Sequence, residues 1–412
     1  MASLAMLLEA SVEATLSTLR TEAPQRRAQP FTIFRVPAYV REGNPTAYEL
    51  RMVSISPYYH GAAALRAMED HKWLYLHDLL SRNATVSSSL LIQEMRSLEP
   101  RACACYSERP LLSSDDFVRM LLLDGCFILE FFFKWHTKEP DALCDVDWGL
   151  ILVNADLLLL ENQVPFFVVE RLHDQVAGAQ GGRSDEVLIE PPFGTCEIHH
   201  LLHLYYENFV PRRPPVASSS SRLSWVIPRT TQMRAAGVSF VRRRSARDSY
   251  DVAFDGRRCM MGIPSVMIDG AKRPLLVNLI AFEQSLGMEE TRVLTSYVSL
   301  MGLLVRGAQD VELLRRRSIL KNLLADDEEA AHVNTQFFAR LGEGGGTNYN
   351  RHVFAGLYED VQSYCGSWWH RNKATLRRKY FGSPWSAISF IVAGLVVALT
   401  ATQTYFTVFP RS

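Results

Sequence analysis

Residues Ser114 to Phe133 read Ser-Asp-Asp-Phe-Val-Arg-Met-Leu-Leu-Leu-Asp-Gly-Cys-Phe-Ile-Leu-Glu-Phe-Phe-Phe. Ser114 fits a helix N-cap, and Asp115 and Asp116 put negative charge where the helix dipole favours it. Apolar residues then occupy every face, which is the pattern of a buried helix. Arg119, Asp124 and Glu130 interrupt the run, so it reads as a core helix and not as a membrane span. Ile151 to Leu172 is a second apolar stretch, with Pro165 marking a break or a new start. Thr291–Leu304 and Asp327–Leu341 read as further helices. Strand signals concentrate between Tyr250 and Val277. There Asp251-Val252-Ala253-Phe254 and Val266-Met267-Ile268 flank the turn pairs Asp255-Gly256 and Asp269-Gly270. The expected fold is mainly α (α+β), a large helical body with a small β-hairpin or sheet around 250–277.

Composition fits that reading. The 412 residues carry 44 Lys+Arg and 44 Asp+Glu, with 48% hydrophobic and 21% charged residues. Disorder requires low hydrophobicity and high net charge, and a nucleic-acid binder a basic excess; neither is present. Seven cysteines, Cys103, Cys105, Cys126, Cys144, Cys196, Cys259 and Cys365, are odd in number and form no C-x-x-C pair. They read as reduced thiols in a cytosolic compartment. Residues 1–30 form an N-terminal segment in which Leu4, Leu8, Val12, Leu16 and Leu19 recur about once per turn, the pattern of an amphipathic helix packed on the body. The body spans 31–380. Gly, Pro and Ser punctuate it at 176–192, 211–221 and 342–346, so that halves 31–209 and 225–380 joined by a linker at 210–224 are expected.

The last stretch behaves differently. No charged residue occurs from Ser383 to Pro410. Ser386 to Phe409, as a helix, spans ~36 Å, against a hydrocarbon core of ~30 Å. Trp385 stands at one end and Tyr405, Phe406 and Phe409 at the other, the depths that aromatic rings favour. Arg371, Lys373, Arg377, Arg378 and Lys379 precede it. The expectation is one transmembrane helix over 385–409, lodged in a lipid bilayer, with the N-terminal body cytosolic. Gly394, Ala398 and Thr402 form a row of small residues, and Gln403 is a polar group able to bond a partner helix or interfacial water.

Several motifs are more specific than any of these patterns. Val53-Ser54-Ile55-Ser56-Pro57-Tyr58-Tyr59-His60-Gly61, Met68-Glu69-Asp70-His71-Lys72-Trp73, Met120–Glu130, Asp156–Phe167 (DLLLLENQVPFF), Asn278–Gln284 (NLIAFEQ) and Pro384-Trp385 resemble the signatures of the plant "domain of unknown function 247" proteins. The resemblance runs from about Phe31 to the C-terminus. Ser56 and Tyr59 depart from it, standing where Gly and His are usual. It implies one C-terminal membrane segment and no established biochemical activity; some grass members are linked to self-incompatibility, which implies recognition or signalling.

The chemistry is sparse. There is no nucleophile elbow, no H-E-x-x-H, no P-loop and no dinucleotide fingerprint. Cys196, His199 and His203 have a spacing that would converge on zinc if they shared a helix face, but Leu201, Leu202 and Leu204 mark core packing, so no metal and no cofactor is expected. Asp124, Glu130, Asp156, Glu161, Asn162, Gln163, Glu283 and Gln284 sit in apolar surroundings. They read as a buried hydrogen-bond network, with His71 or Arg119 as candidate cations, and alternatively as an acid/base pair. Arg242-Arg243-Arg244-Ser245 with Arg247, and Arg315-Arg316-Arg317, read as solvated basic loops, the first alternatively meeting acidic lipid head groups or presenting Ser245 to a basophilic kinase. The function expected is protein–protein recognition by a tail-anchored protein, with an unidentified protein or a second copy of the chain as partner and no nucleic acid. The alternative is a membrane-tethered enzyme.

Overall fold

The structure, a computed structural model, describes residues 6, 8–17, 31–179, 197–213, 227–267, 272–286, 291–321, 352–366 and 384–408. The chain is mainly helical with a small sheet. It divides into two units, the first formed by Met1–Arg212 with Gly270–Met288 and the second by Arg213–Asp269 with Glu289–Ser412.

In the first unit a short helix α1 (Ala38–Gly43) is followed by α2 (Arg66–Arg82), α3 (Ser88–Ala104), α4 (Ser114–Thr137), α5 (Asp147–Leu157), α6 (Phe166–Ala179), α7 (Leu201–Phe209) and, later in the chain, the helix Lys272–Ser285. Helix α4 is the axis: α2, α3 and α6 pack around it, and its Leu121, Cys126, Phe127 and Phe131 are fully buried. Its cap is Ser113 and not Ser114. The Ser113 hydroxyl accepts the Asp116 N–H at 3.2 Å, while Ser114 binds Arg96 and Glu99 at 2.6 and 2.8 Å. The helix also runs one turn past Phe133, where Lys134 binds Asp78 and Asp141, and it ends at Lys138 in the left-handed region. Between α5 and α6 the backbone is irregular from 158 to 165. Amide side chains replace the missing helical bonds there: Gln163 Nε2 donates to Leu157 O and Leu159 O, and Asn162 Nδ2 to Asp156 O.

The helical stretch 8–17 does not pack as expected. Leu8, Val12 and Leu16 are exposed, and Leu4 and Leu19 lie outside the described residues.

The second unit holds α8 (Thr230–Ala235), β1 (Ser239–Arg242), β2 (Ala253–Asp255), β3 (Met260–Ile263) and β4 (Val266–Met267). With the Lys272–Ser285 helix counted as α9, it continues through α10 (Val293–Leu304), α11 (Ala308–Arg316), β5 (Leu320–Lys321), α12 (Ala355–Gly366) and α13 (Pro384–Val408). The small sheet is present as expected, but it also draws in β1 and β5, outside 250–277. Strand β2 pairs antiparallel with β3, register Ala253↔Gly262. The turn decides this: Asp255 Oδ1 accepts the N–H groups of Arg257 and Arg258 at 3.0 Å each and folds the chain back at once. Strand β1 runs parallel to β3 on its other side, giving the order β1-β3-β2, and β4 pairs parallel with the distant β5. The helix expected over 327–341 lies outside the described residues.

Among the described residues no helix is long and apolar enough to cross a membrane. Helix α13, 25 residues, covers 385–408 of the stretch expected to form a transmembrane helix.

Candidate functional site: a buried polar lattice

The segment Asp156–Gln163 positions its polar side chains against backbone that forms no regular element. Asp156 accepts the N–H groups of Met52 and Val53 at 2.6 and 2.8 Å and that of Arg51 at 3.1 Å. Burial pushes its carboxyl up, and the three backbone donors pull it back down. Glu161 accepts from Val36 N and Arg41 at 2.6 Å each, and from the Tyr59 hydroxyl. Burial, with that acid beside it, pushes Tyr59 up to about 12. Asn162 bonds Ile55 N and Val53 O, so that the 51–55 segment is held from both sides. Gln163 Oε1 accepts Leu202 N at 3.2 Å at the start of α7. Asn278 on α9 completes the set by accepting Leu160 N and donating to Ala47 O and Pro274 O. Glu283 accepts the Tyr206 hydroxyl at 2.7 Å, and Gln284 is half-buried on the same helix.

A second group joins α2 to α4. The Lys72 ammonium, 1% exposed, lies 2.6 Å from Ser54 O, Glu69 Oε1 and Asp124 Oδ1. Burial pushes Asp124 up to about 6 against the pull of that lysine. Arg82 binds both oxygens of Glu130 and lies 3.8 Å from the centre of the Phe133 ring. Lys134 bridges Asp78 and Asp141 at 2.7 and 3.2 Å, and Tyr75 donates to Asp141.

The cations are therefore Lys72, Arg82, Arg41 and Lys134. Arg119 pairs with the exposed Asp116 instead. Sequence reasoning missed Lys72, Tyr206 and Asn278. Lys72 had a signal, since it shares the apolar face of α2 with Met68, Tyr75 and Leu79. Each buried carboxylate is committed to its own backbone donor, cation or hydroxyl, and with Asn278 they tie α2, α4, α7 and α9 to the 31–62 segment.

The histidine cluster is placed differently from expectation. Cys196 lies outside the described residues, and His199 precedes α7 and does not share its face. His200 is the N-cap, its Nδ1 accepting His203 N at 3.1 Å, while its Nε2 faces Thr32 O. His203 Nδ1 accepts His199 N at 3.1 Å. Burial lowers all three, His203 to about 4, so they are neutral rings. Among the described residues no group of three or more His, Cys, Asp or Glu side chains could hold a metal ion. The basic runs are partly neutralised: Arg243 pairs with Asp251 at 3.1 Å, and Arg315 and Arg316, expected in a loop, lie instead in the last turn of α11 and pair with Glu312. In α13 Gly394, Ala398 and Gln403 are exposed, and the side chain of Trp385 lies outside the described part.

The profile of a plant family described as "plant protein of unknown function", domain 247, matches residues 33–399. The chain belongs to this family. Among curated relatives it is similar to the UPF0481 protein At3g47200 of Arabidopsis thaliana, 29% identical over 90% of this chain and 85% of that one. A second Arabidopsis thaliana UPF0481 protein, At3g02645, is 21% identical over 92% of this chain and 90% of its own length. No solved structure matches.

Proposed function

We propose that this family member is held at a membrane by its terminal segment 385–409 and acts through contact of its helical body with another protein, in recognition or signalling. The observation that carries the reading is the terminal stretch, in which 383 to 410 contain no charge. Two features of α13 support it. Every described side chain from 392 to 404 is exposed, Leu395 at 58% and Val397 at 68%. Apolar surface of that kind needs a cover. The hydroxyls of Thr400, Thr402 and Thr404 donate to the carbonyls four residues back at 2.8 Å each, the internal satisfaction that hydrocarbon demands of a polar group. The basic residues from Arg371 to Lys379 favour a cytosolic body.

Contact, and not catalysis, is supported by the lattice, whose acids are bonded to the protein's own backbone and cations. The surface of the first unit offers Tyr39, Trp73 and Trp148, each more than half exposed and of the type that anchors interfaces. Proximity labelling with the full chain is expected to enrich one protein partner, and Trp73→Ala with Trp148→Ala to lose it while the fold is retained. A bound metal or small ligand in the purified protein, with an activity that Glu161→Gln abolishes without unfolding, contradicts the reading.

A further inference from the structure

The sequence 242–247, Arg-Arg-Arg-Ser-Ala-Arg, is not explained by the lattice or the tail. Strand β1 is an edge strand that ends at Arg242. The Arg243 N–H still donates to Ile263 O at 2.9 Å, so Arg242 and Arg243 are held extended. Residues 244 and 245 then form a turn, and Ser245 is exposed. The acids nearby are already engaged. Asp248 is held by Arg213 at 2.7 Å, and Asp251 by Arg243 at 3.1 Å and by the Arg247 N–H at 3.1 Å. Arg242 and Arg244 are exposed and form no ion pair among the described residues. Arg247 is 87% exposed, with its guanidinium 3.8 Å from Asp251.

We propose that Ser245 is a phosphorylation site for a protein kinase whose substrate cleft is acidic. The extended Arg242 and Arg243 lie three and two residues before the serine, where such a cleft meets its cations, and the exposed turn presents the hydroxyl. In the transfer the Ser245 oxygen attacks the terminal phosphorus of a nucleoside triphosphate. The bond from that phosphorus to the bridging oxygen breaks, the diphosphate leaves, and the hydroxyl proton passes to the kinase's base. The product phosphate then shares its segment with the exposed cations Arg242, Arg244 and Arg247. It competes with Asp251 for Arg247, and its added charge of about −2 brings the basic segment 242–251 close to neutral. The inference goes beyond the proposed function and needs only that the body meet nucleoside triphosphate.

The test incubates the detergent-solubilised full chain with a kinase that selects arginine two and three residues before serine, plus Mg·ATP, and maps the phosphate by mass spectrometry. One phosphate on Ser245 is expected. Arg242→Ala, an exposed and unpaired position, is expected to slow uptake by about tenfold or more, the order of losing one charge-assisted hydrogen bond. Phosphate that maps elsewhere, uptake unchanged by Ser245→Ala, or a rate indifferent to Arg242→Ala overturns the proposal. Failure here leaves membrane extraction of the tail unaffected, so the two readings fail separately.

Discussion

At Lys72 a single ammonium is enclosed by Ser54 O, Glu69 and Asp124, with almost no water in reach. Removing it leaves a carboxylate buried without a cation, so Lys72→Met is expected to cost about 3–5 kcal/mol in denaturant unfolding. Lys72→Met combined with Asp124→Leu is expected to recover most of that, since the orphan charge is then gone; no recovery would contradict the pairing. The acid limb separates two opposite effects. Asp124, pushed up to about 6 from 3.8, binds its proton more tightly folded than unfolded, so its contribution to stability falls as pH rises through that window. His203, lowered to about 4 from 6.5, has the other sign: its contribution is present above 6.5 and is lost as pH falls towards 4. Between pH 7 and 4.5 His203→Gln is therefore expected to lose less stability than the natural chain, and Asp124→Asn more. The acids themselves were legible in the sequence, because a carboxylate inside an apolar run must be bonded to something. Their partners were not. Glu161 bonds Val36 and Asp156 bonds Val53, each more than a hundred residues away, and no local pattern encodes a bond to a backbone N–H.

Among the elements, α4 was readable because an apolar run with an acidic first turn has one outcome, although the cap fell on the first of two adjacent serines. Ser113→Ala is expected to lower stability by about 1 kcal/mol, and Ser114→Ala to act only through its exposed contacts with Arg96 and Glu99. Gly149, in the first turn of α5, tests packing more sharply. A Cβ there would lie 2.6 Å from the Leu143 carbonyl oxygen, a backbone atom that cannot move alone. Gly149→Ala is expected to cost about 1–3 kcal/mol. Gly356 in α12 is the control: an added Cβ meets nothing within 4 Å, and Gly356→Ala is expected to be neutral or to stabilise by up to about 1 kcal/mol. If thermal or chemical unfolding ranks the two alike, the packing account of α5 is wrong. Of the strands, only β2 and β4 were legible as β-prone residues; β1, β3 and β5 were not, and no pairing was. Parallel pairing of β4 with β5 joins segments more than fifty residues apart, and only the Asp255 turn was local enough to fix a partner.

For the whole molecule the zero net charge conceals two environments. The last stretch, 383 to 410, contributes none of the 44 cations and 44 anions, so the balance belongs to the body and its final basic run. The body holds its irregular N-terminal segment by buried acids, and the terminal helix shows apolar side chains with its threonines bonded to itself. The proposed function joins those two properties: a folded contact domain held at lipid by 385–409. It is tested most directly by fusing a fluorescent protein to the N-terminus and washing membranes with alkaline carbonate. The full-length fusion is expected to stay in the membrane pellet, and a chain ending at Gly382 to be released; a full-length fusion that moves to the supernatant contradicts the account.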